Sequence, residues 1–360
     1  MTLLMTGFPG FLGSSLLPRL LARTGSGAIC VVQPAYTARA EQRVADLVRT
    51  EPSLGGRIRL VPGDITQPEL GLEDPAALVA EITEVWHLAA AYDLAVSREV
   101  GMRVNVEGTR YVLDVTARCP NLERFHYFST CYVSGRFTGP FAEHDLEVGA
   151  PFNNHYEATK HLAEVEVRAR MTSGLPATIY RPAIVLGDSR TGEAQKYDGL
   201  YFIFQLLLRQ PRVAVLPEFG DSTAYTANVV PSDFVIDAVT HLSSLPQSVG
   251  RTYQLADPHP LTIDEWYDAL AEVTGRWVVR VPLPAGLTRM ALGRVPGATT
   301  LIGVPAELLD YFVNPTHFLT DHTRADLAGT GIACPPFRSY AHRIIDFMRT
   351  HPEISSHAMV

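Results

Sequence analysis

Cysteine is scarce in this 360-residue chain. The four present, Cys30, Cys119, Cys131 and Cys334, form no C-x-x-C pair. That spacing argues against a disulfide framework or a cysteine zinc site and fits a reducing cytoplasm. The twelve histidines show no ligand spacing such as H-E-x-x-H, so no metal site is expected. Basic residues are outnumbered, 30 Lys and Arg against 38 Asp and Glu, for a formal net charge of −8. No basic stripe stands out, which argues against nucleic acid as a partner. No apolar run approaches the roughly 20 residues of a membrane span. The first strand-like run starts at residue 2 or 3, so no signal peptide is expected before it. Internal repeats and low-complexity tracts are also missing.

What is present is a globular composition, 46% hydrophobic and 19% charged, with length for two packed lobes or one large α/β domain. Apolar runs at 2–6, 28–32, 58–62, 84–89, 125–129 and 177–181 read as strands. Amphipathic runs at 11–22, 38–48, 104–117 and 157–171 read as helices. Pro18 falls inside the first helix, where a kink or early break is expected. Alternation of this kind implies right-handed βαβ units, hence an α/β Rossmann-type doubly wound parallel sheet covered on both faces. After Leu186 prolines and aromatics become frequent. The expected division is a nucleotide-binding domain over 1–187 with a return segment at 226–256. A smaller substrate-binding lobe would take 188–225 and 257–360.

Three stretches carry chemistry. Gly7, Gly10 and Gly13 form G-x-x-G-x-x-G between the first strand and first helix. Such glycines permit a tight turn, approach of a pyrophosphate to the backbone, and close packing of helix on strand. The helix N-terminus adds free N–H groups and partial positive charge. In "NHYEATKHLAE" Tyr156 and Lys160 lie four apart on one helix face. A nearby ammonium favours the phenolate and draws tyrosine toward acid–base work at neutral pH. Ordinary surface spacing gives the same pattern. In "HYFSTCYVSG" a strand ends at Ser129 and Thr130, where doubly wound sheets place their sites; plain strand-edge hydroxyls are the alternative. Asn105, in "NVEGT", opens the preceding helix and has the residue type of an N-cap.

In this order and at these distances, the glycine turn, Asn105, Ser129/Thr130 and Tyr156-x-x-x-Lys160 resemble the extended short-chain dehydrogenase/reductase superfamily. "TGFPGFLG", "GDITQPELGL", "HLAAAYDL", "FSTCYVSG" and "YRPAIVLGDSRTG" are similar to the branch of fatty acyl-CoA reductases and thioester reductase domains of carboxylic acid reductases. The resemblance implies Tyr156 as proton donor to a substrate carbonyl. It implies Lys160 on the nicotinamide ribose, Thr130 (with Ser129 second) on the same carbonyl oxygen, and Asn105 behind Lys160 on a water-linked proton path. It places the cofactor on Gly7, Phe8, Gly10, Phe11, Leu12 and Gly13. Asp64 and Ile65 would contact adenine, Leu88, Ala89 and Ala90 the cofactor's middle, and Pro182 to Val185 the amide.

One position departs from the family pattern. Gln33 stands where an arginine or an acid usually chooses between NADP and NAD. No carboxylate occupies 33–36, and Arg39 and Arg43 follow. Guanidinium groups pair well with phosphate, which favours NADP(H), with NAD(H) as the alternative. The expected activity is hydride transfer to a hydrophobic carbonyl, an acyl thioester on CoA or a carrier, or the derived aldehyde. The rivals are a ketone or hydroxysteroid-like alcohol dehydrogenase and a non-catalytic cofactor-binding regulator. Apolar runs at Tyr201, Phe202, Phe204, Leu206, Leu207 and at Leu283, Leu287, Met290, Leu292 are expected to supply core and pocket.

Overall fold

The computed structural model describes residues 2–25, 27–283 and 311–354. Strands β1 (Thr2–Thr6), β2 (Gly27–Val32), β3 (Ile58–Pro62), β4 (Glu84–His87) and β5 (Arg124–Phe128) belong to one sheet. The short β6 (Gly139–Phe141) lies outside it, and β7 (Ala177–Pro182) continues it. With β11 (Thr252–Leu255) the sheet reads β11-β7-β5-β4-β1-β2-β3, and every neighbouring pair is parallel. Helices cover both faces, so a central strand such as β4 is buried on both sides, Glu84 and His87 included.

On one face Leu3, Met5, Cys30 and Trp86 meet α1 (Phe11–Thr24) through Leu16, Leu17, Leu20 and Leu21. Burying each leucine contributes about 1.5–3 kcal/mol. That packing carries α1 past Pro18 to Thr24, so the expected early break does not occur. The helix ends at Gly25, whose left-handed backbone (φ +62°) suits a residue without Cβ. Helix α2 (Thr37–Thr50) follows β2, and the short α3 (Pro75–Glu81), capped by Asp74, was not foreseen.

The expected helix at 104–117 begins earlier. Ser97 accepts a hydrogen bond from Val100 N and caps α4 (Arg98–Gly101). The backbone continues through a π-helical stretch, Met102–Glu107, into α5 (Gly108–Thr116). Asn105 therefore sits inside a helix and caps nothing. On this second face Leu4, Ile29, Phe125, Tyr127 and Ile179 pack with Val112 of α5 and Ala163 and Val167 of α6 (His155–Thr172).

A second core gathers α7 (Tyr201–Arg209), α9 (Ile263–Thr274) and the helix Phe337–Thr350, where Phe204, Trp266, Phe337 and Tyr340 stack or meet edge-on. Here β9 (Val213–Phe219) pairs in parallel with β12 (Trp277–Leu283), two strands the sequence reading missed. Strand β8 (Ile184–Leu186) pairs with β10 (Val229–Pro231), and α8 (Ser232–Leu242) returns the chain to the first lobe beside α1. Residues 316–327, within the stretch expected to form the substrate lobe, pack on the first lobe. Strand β13 (Thr316–Phe318) pairs with β6, and Asp326 of the helix Asp321–Leu327 accepts from the Tyr253 hydroxyl of β11 at 2.6 Å. Leu287, Met290 and Leu292 lie outside the described residues.

Candidate active site

The C-terminal ends of β1, β4, β5 and β7 open on a cavity of about 490 Å³ that extends into the second lobe. At β1 the chain turns sharply. Gly7 has φ +91°, and a Cβ there would lie 2.8 Å from Ala89 N. A Cβ on Gly13 would lie 2.7 Å from the Gly7 carbonyl oxygen. Gly10 is the N-cap of α1 and receives no side-chain cap. The first N–H groups of the helix therefore face the cavity end built by Gly7, Phe8, Gly10, Phe11, Leu12 and Gly13. This cradle has the closeness of approach and the donors that a dinucleotide pyrophosphate requires.

Gln33, Ile65, Leu88, Ala89, Ala90, Pro182 and Val185 line the same cavity, as do Thr130, Tyr156 and Lys160. Asp64, Arg39, Arg43 and Asn105 do not. Asp64 accepts from Gln33 Nε2 at 3.2 Å and from Thr66 N at 2.8 Å, which ties the ends of β2 and β3 together. Arg39 is exposed, yet its charge acts on the Tyr92 hydroxyl at the cavity wall. Arg43 is half-buried, and its Nε has no partner among the described residues.

Ser129 and Thr130 differ in their partners. The Ser129 hydroxyl donates to Glu164 Oε2 at 2.6 Å. Burial raises the Glu164 carboxyl, but Arg181, Arg168 and Ser129 together hold it below the ordinary carboxylate value. Among the described residues the Thr130 hydroxyl has long contacts, 3.3 Å from Tyr132 N and 3.4 Å to the Pro182 carbonyl, and it acts on the Tyr156 phenol in the sense of a donor. Thr130 is thus the hydroxyl available to a substrate oxygen.

Asn154 caps α6 by accepting from Glu157 N at 2.9 Å, which fixes the first turn that carries Tyr156. Burial pushes the Tyr156 phenol up, and the Thr130 hydrogen bond pulls it down. The Lys160 ammonium donates to Tyr127 Oη at 2.9 Å and to the Phe128 carbonyl at 2.6 Å. Burial pulls Lys160 down to about 7, with Glu164 one turn on pulling it up. Asn105 is fully engaged as a brace: Oδ1 accepts from Ala91 N at 2.8 Å, and Nδ2 donates to the Ala91 carbonyl and to Thr159 Oγ1. It locks the loop after β4 to α6.

Beyond Tyr156 the cavity wall is aromatic. Tyr132, Tyr201, Phe202 and Tyr311 line it, and Tyr132 and Tyr311 meet edge-on at 4.7 Å. Phe204 and Leu207, from the same apolar run as Tyr201 and Phe202, are core. Lys196 pairs with Asp198 at 2.5 Å and lies over the Tyr92 ring. Tyr132, Tyr311, Lys196, Asp198 and Tyr92 escaped the sequence reading. Tyr132 and Tyr92 lie inside the stretches FSTCYVSG and HLAAAYDL without a role there, and Lys196, Asp198 and Tyr311 lie outside every motif.

A seven-stranded parallel sheet, a glycine cradle at β1 and a Thr–Tyr–Lys set at β5 and α6 define an NAD(P)-dependent oxidoreductase of the extended short-chain dehydrogenase/reductase type. Residues 5–239 match the family described as male sterility protein, and the chain belongs to that family. It is 28% identical over 287 residues to a glycine betaine reductase of Emericella nidulans, covering 75% of this chain and 22% of that protein. It is 26% identical over 366 residues to an isonitrile lipopeptide synthase of Streptomyces coeruleorubidus, covering 95% and 24%. The chain thus spans about a quarter or less of these relatives. The terminal R domain of the myxalamid PKS-NRPS biosynthetic pathway superposes with a TM-score of 0.82 at 29% identity, over 98% of this chain and 91% of that one. Among the described residues no helix is long and apolar enough to cross a membrane, and no cluster could hold a metal ion.

Proposed function

We propose that the chain reduces a hydrophobic acyl group presented as a thioester, on a carrier or on CoA, with NADPH as the hydride source. The observation that carries this reading is the Thr130–Tyr156 hydroxyl pair standing between a dinucleotide cradle and an aromatic cavity wall. Likeness to a terminal R domain and to multidomain synthases supports a carrier-bound substrate.

Gly7, Gly10 and Gly13 fit the pyrophosphate, Leu88 to Ala90 the middle of the cofactor, and Lys160 its nicotinamide ribose. The bound cofactor supplies hydride. Thr130 and Tyr156 donate hydrogen bonds to the carbonyl oxygen as negative charge grows on it. From a thioester, collapse of the tetrahedral alkoxide expels thiolate and yields an aldehyde. From an aldehyde, Tyr156 passes its proton to the alkoxide and yields an alcohol. Tyr132, Tyr201, Phe202 and Tyr311 exclude water and hold the acyl chain. Two cations of α2, Arg39 and Arg43, favour NADPH. The charge of Arg39 is felt at Tyr92 of the cavity lining, and the Nε of Arg43 has no partner among the described residues.

The test is kcat/KM over homologous acyl thioesters, aldehydes and ketones with NADPH and NADH, with products identified. Binding should improve by up to ~0.8 kcal/mol per buried CH₂ until the cavity is full. A flat series, or turnover of ketones alone, overturns the reading.

A further inference from the structure

The chemistry above uses the cavity side of Lys160. The opposite side is held by a buried set of groups that no catalytic step requires. Tyr127 Oη accepts from Lys160 Nζ, and the Tyr127 ring lies 4.4 Å from the same nitrogen. The Thr109 hydroxyl acts on the Tyr127 phenol in the sense that favours its ionised form. Thr109 Oγ1 lies 2.6 Å from the Asn105 carbonyl and 2.9 Å from His87 Nε2. His87 Nδ1 lies 2.7 Å from Thr6 Oγ1, which accepts from Ala89 N.

The proton positions follow from what each group can do. A carbonyl only accepts, so the Thr109 proton goes to Asn105. Thr109 then accepts from His87. His87 carries its proton on Nε2 and accepts from Thr6 at Nδ1, a neutral form that its burial enforces. An ammonium only donates, so Tyr127 presents a lone pair to Lys160 and turns its own proton away.

We infer that Tyr127 is a positioning residue for the reaction. Its hydroxyl, accepting from Lys160 at 2.9 Å, keeps the ammonium protonated and leaves the third N–H for the cavity. The inference rests on the assignment of Lys160 to the catalytic pair. The titratable and charged groups around Lys160 are Tyr156 and Glu164 on its own helix, His87 from β4 and Tyr127 from β5. Arg181 from β7 and Arg168 act through Glu164.

Tyr127→Phe keeps the ring and deletes only the acceptor. Lys160 then holds its proton less tightly, and the alkaline limb of kcat moves acidward by about one pH unit, a tenfold change in proton affinity. The second readout uses the cofactor-free protein and needs no turnover. The folded-state value of Lys160, about 7, lies below the ordinary lysine value of ~10.4. Its burial therefore costs stability in full below about 7, and the cost fades as pH rises toward the unfolded value. Lowering the folded value further adds a cost that appears only below about 7. Urea melts should show the gap between wild type and Tyr127→Phe widening as pH falls from 9 to 5.5. A gap that stays constant with pH, as simple packing loss gives, overturns the inference. Should Tyr127→Phe not fold, Tyr127→Met likewise lacks the acceptor and shifts the same limb in the same direction. An unmoved limb in either variant also overturns it. If Tyr156→Phe stays active while the gap still widens, the catalytic assignment fails and the Tyr127–Lys160 coupling stands.

Discussion

Replacing Gly13 by alanine tests whether the glycine turn is a cofactor cradle or merely a flexible corner. The added methyl would sit 2.7 Å from the Gly7 carbonyl oxygen, 3.2 Å from the Gly7 carbonyl carbon and 3.4 Å from Phe8 N. All three are backbone atoms, so no side chain can swing aside. Real contacts of this kind begin at 3.0–3.4 Å, and α1 must lift from the β1 turn by roughly 0.3–0.7 Å. Overpacking of this size costs about 1–3 kcal/mol. Charged wholly to cofactor affinity, that is roughly a factor of 5 to 150 in Kd. The assay is titration of NADPH against protein fluorescence, with a thermal melt of each sample. Gly27→Ala is the control, because a Cβ there meets its nearest atom, the Arg57 carbonyl oxygen, at an ordinary 3.6 Å. Gly27→Ala should bind cofactor as wild type does. Wild-type affinity in Gly13→Ala, or equal losses in both variants, would falsify the cradle.

Tyr156→Phe should fold, bind cofactor and lose ~10²–10⁴-fold in kcat, the scale of a positioned acid; single-turnover kinetics with near-normal hydride transfer to an aldehyde would end that assignment. Thr130→Val should lower kcat with little change in melting temperature, whereas Ser129→Ala should lower melting temperature, because it strips a hydrogen bond from the buried Glu164–Arg181 pair; the reverse pattern would exchange their roles. Arg39→Ala and Arg43→Ala should raise KM for NADPH and leave KM for NADH unchanged, with a charge-assisted contact worth roughly 1.5–3 kcal/mol; equal effects on both cofactors would retire the NADPH preference.

The sheet was legible because its strands are short runs of apolar residues between turn signals, and β1 and β3 fall at the positions read from sequence. Tyr156 and Lys160 were legible because helical spacing alone puts residues four apart on one face. The phenol itself was misjudged. Four-residue spacing suggests an ammonium acting on a phenol, but Lys160 donates to Tyr127 and Phe128, and burial dominates Tyr156. Pro18 signals a break that tertiary packing overrides, because four leucines hold α1 to the sheet. Asn105 misled because nothing local announces a π-helical turn or a helix start at Arg98. In β9 and β12 every second residue is apolar, yet Pro217 and Pro282 within them broke the strand signal. The aromatic wall assembles from residues 132, 201, 202 and 311, and only tertiary packing brings these together.

The order of the sheet also governs how the chain must assemble during synthesis. All six residues of β7 are buried, and β7 takes its outer neighbour from β11, which begins 70 residues after it ends. Between them the chain leaves to build α7 and β9 before α8 returns. A growing polypeptide that has emerged only through β7 therefore exposes an apolar, unpaired edge, the template on which strands of separate chains join. The ribosome must deliver the start of the second lobe before the first can close. A fragment cut after Leu186 should accordingly aggregate, although it holds the glycine turn, Thr130, Tyr156 and Lys160, whereas one that runs on through β11 gains the missing edge.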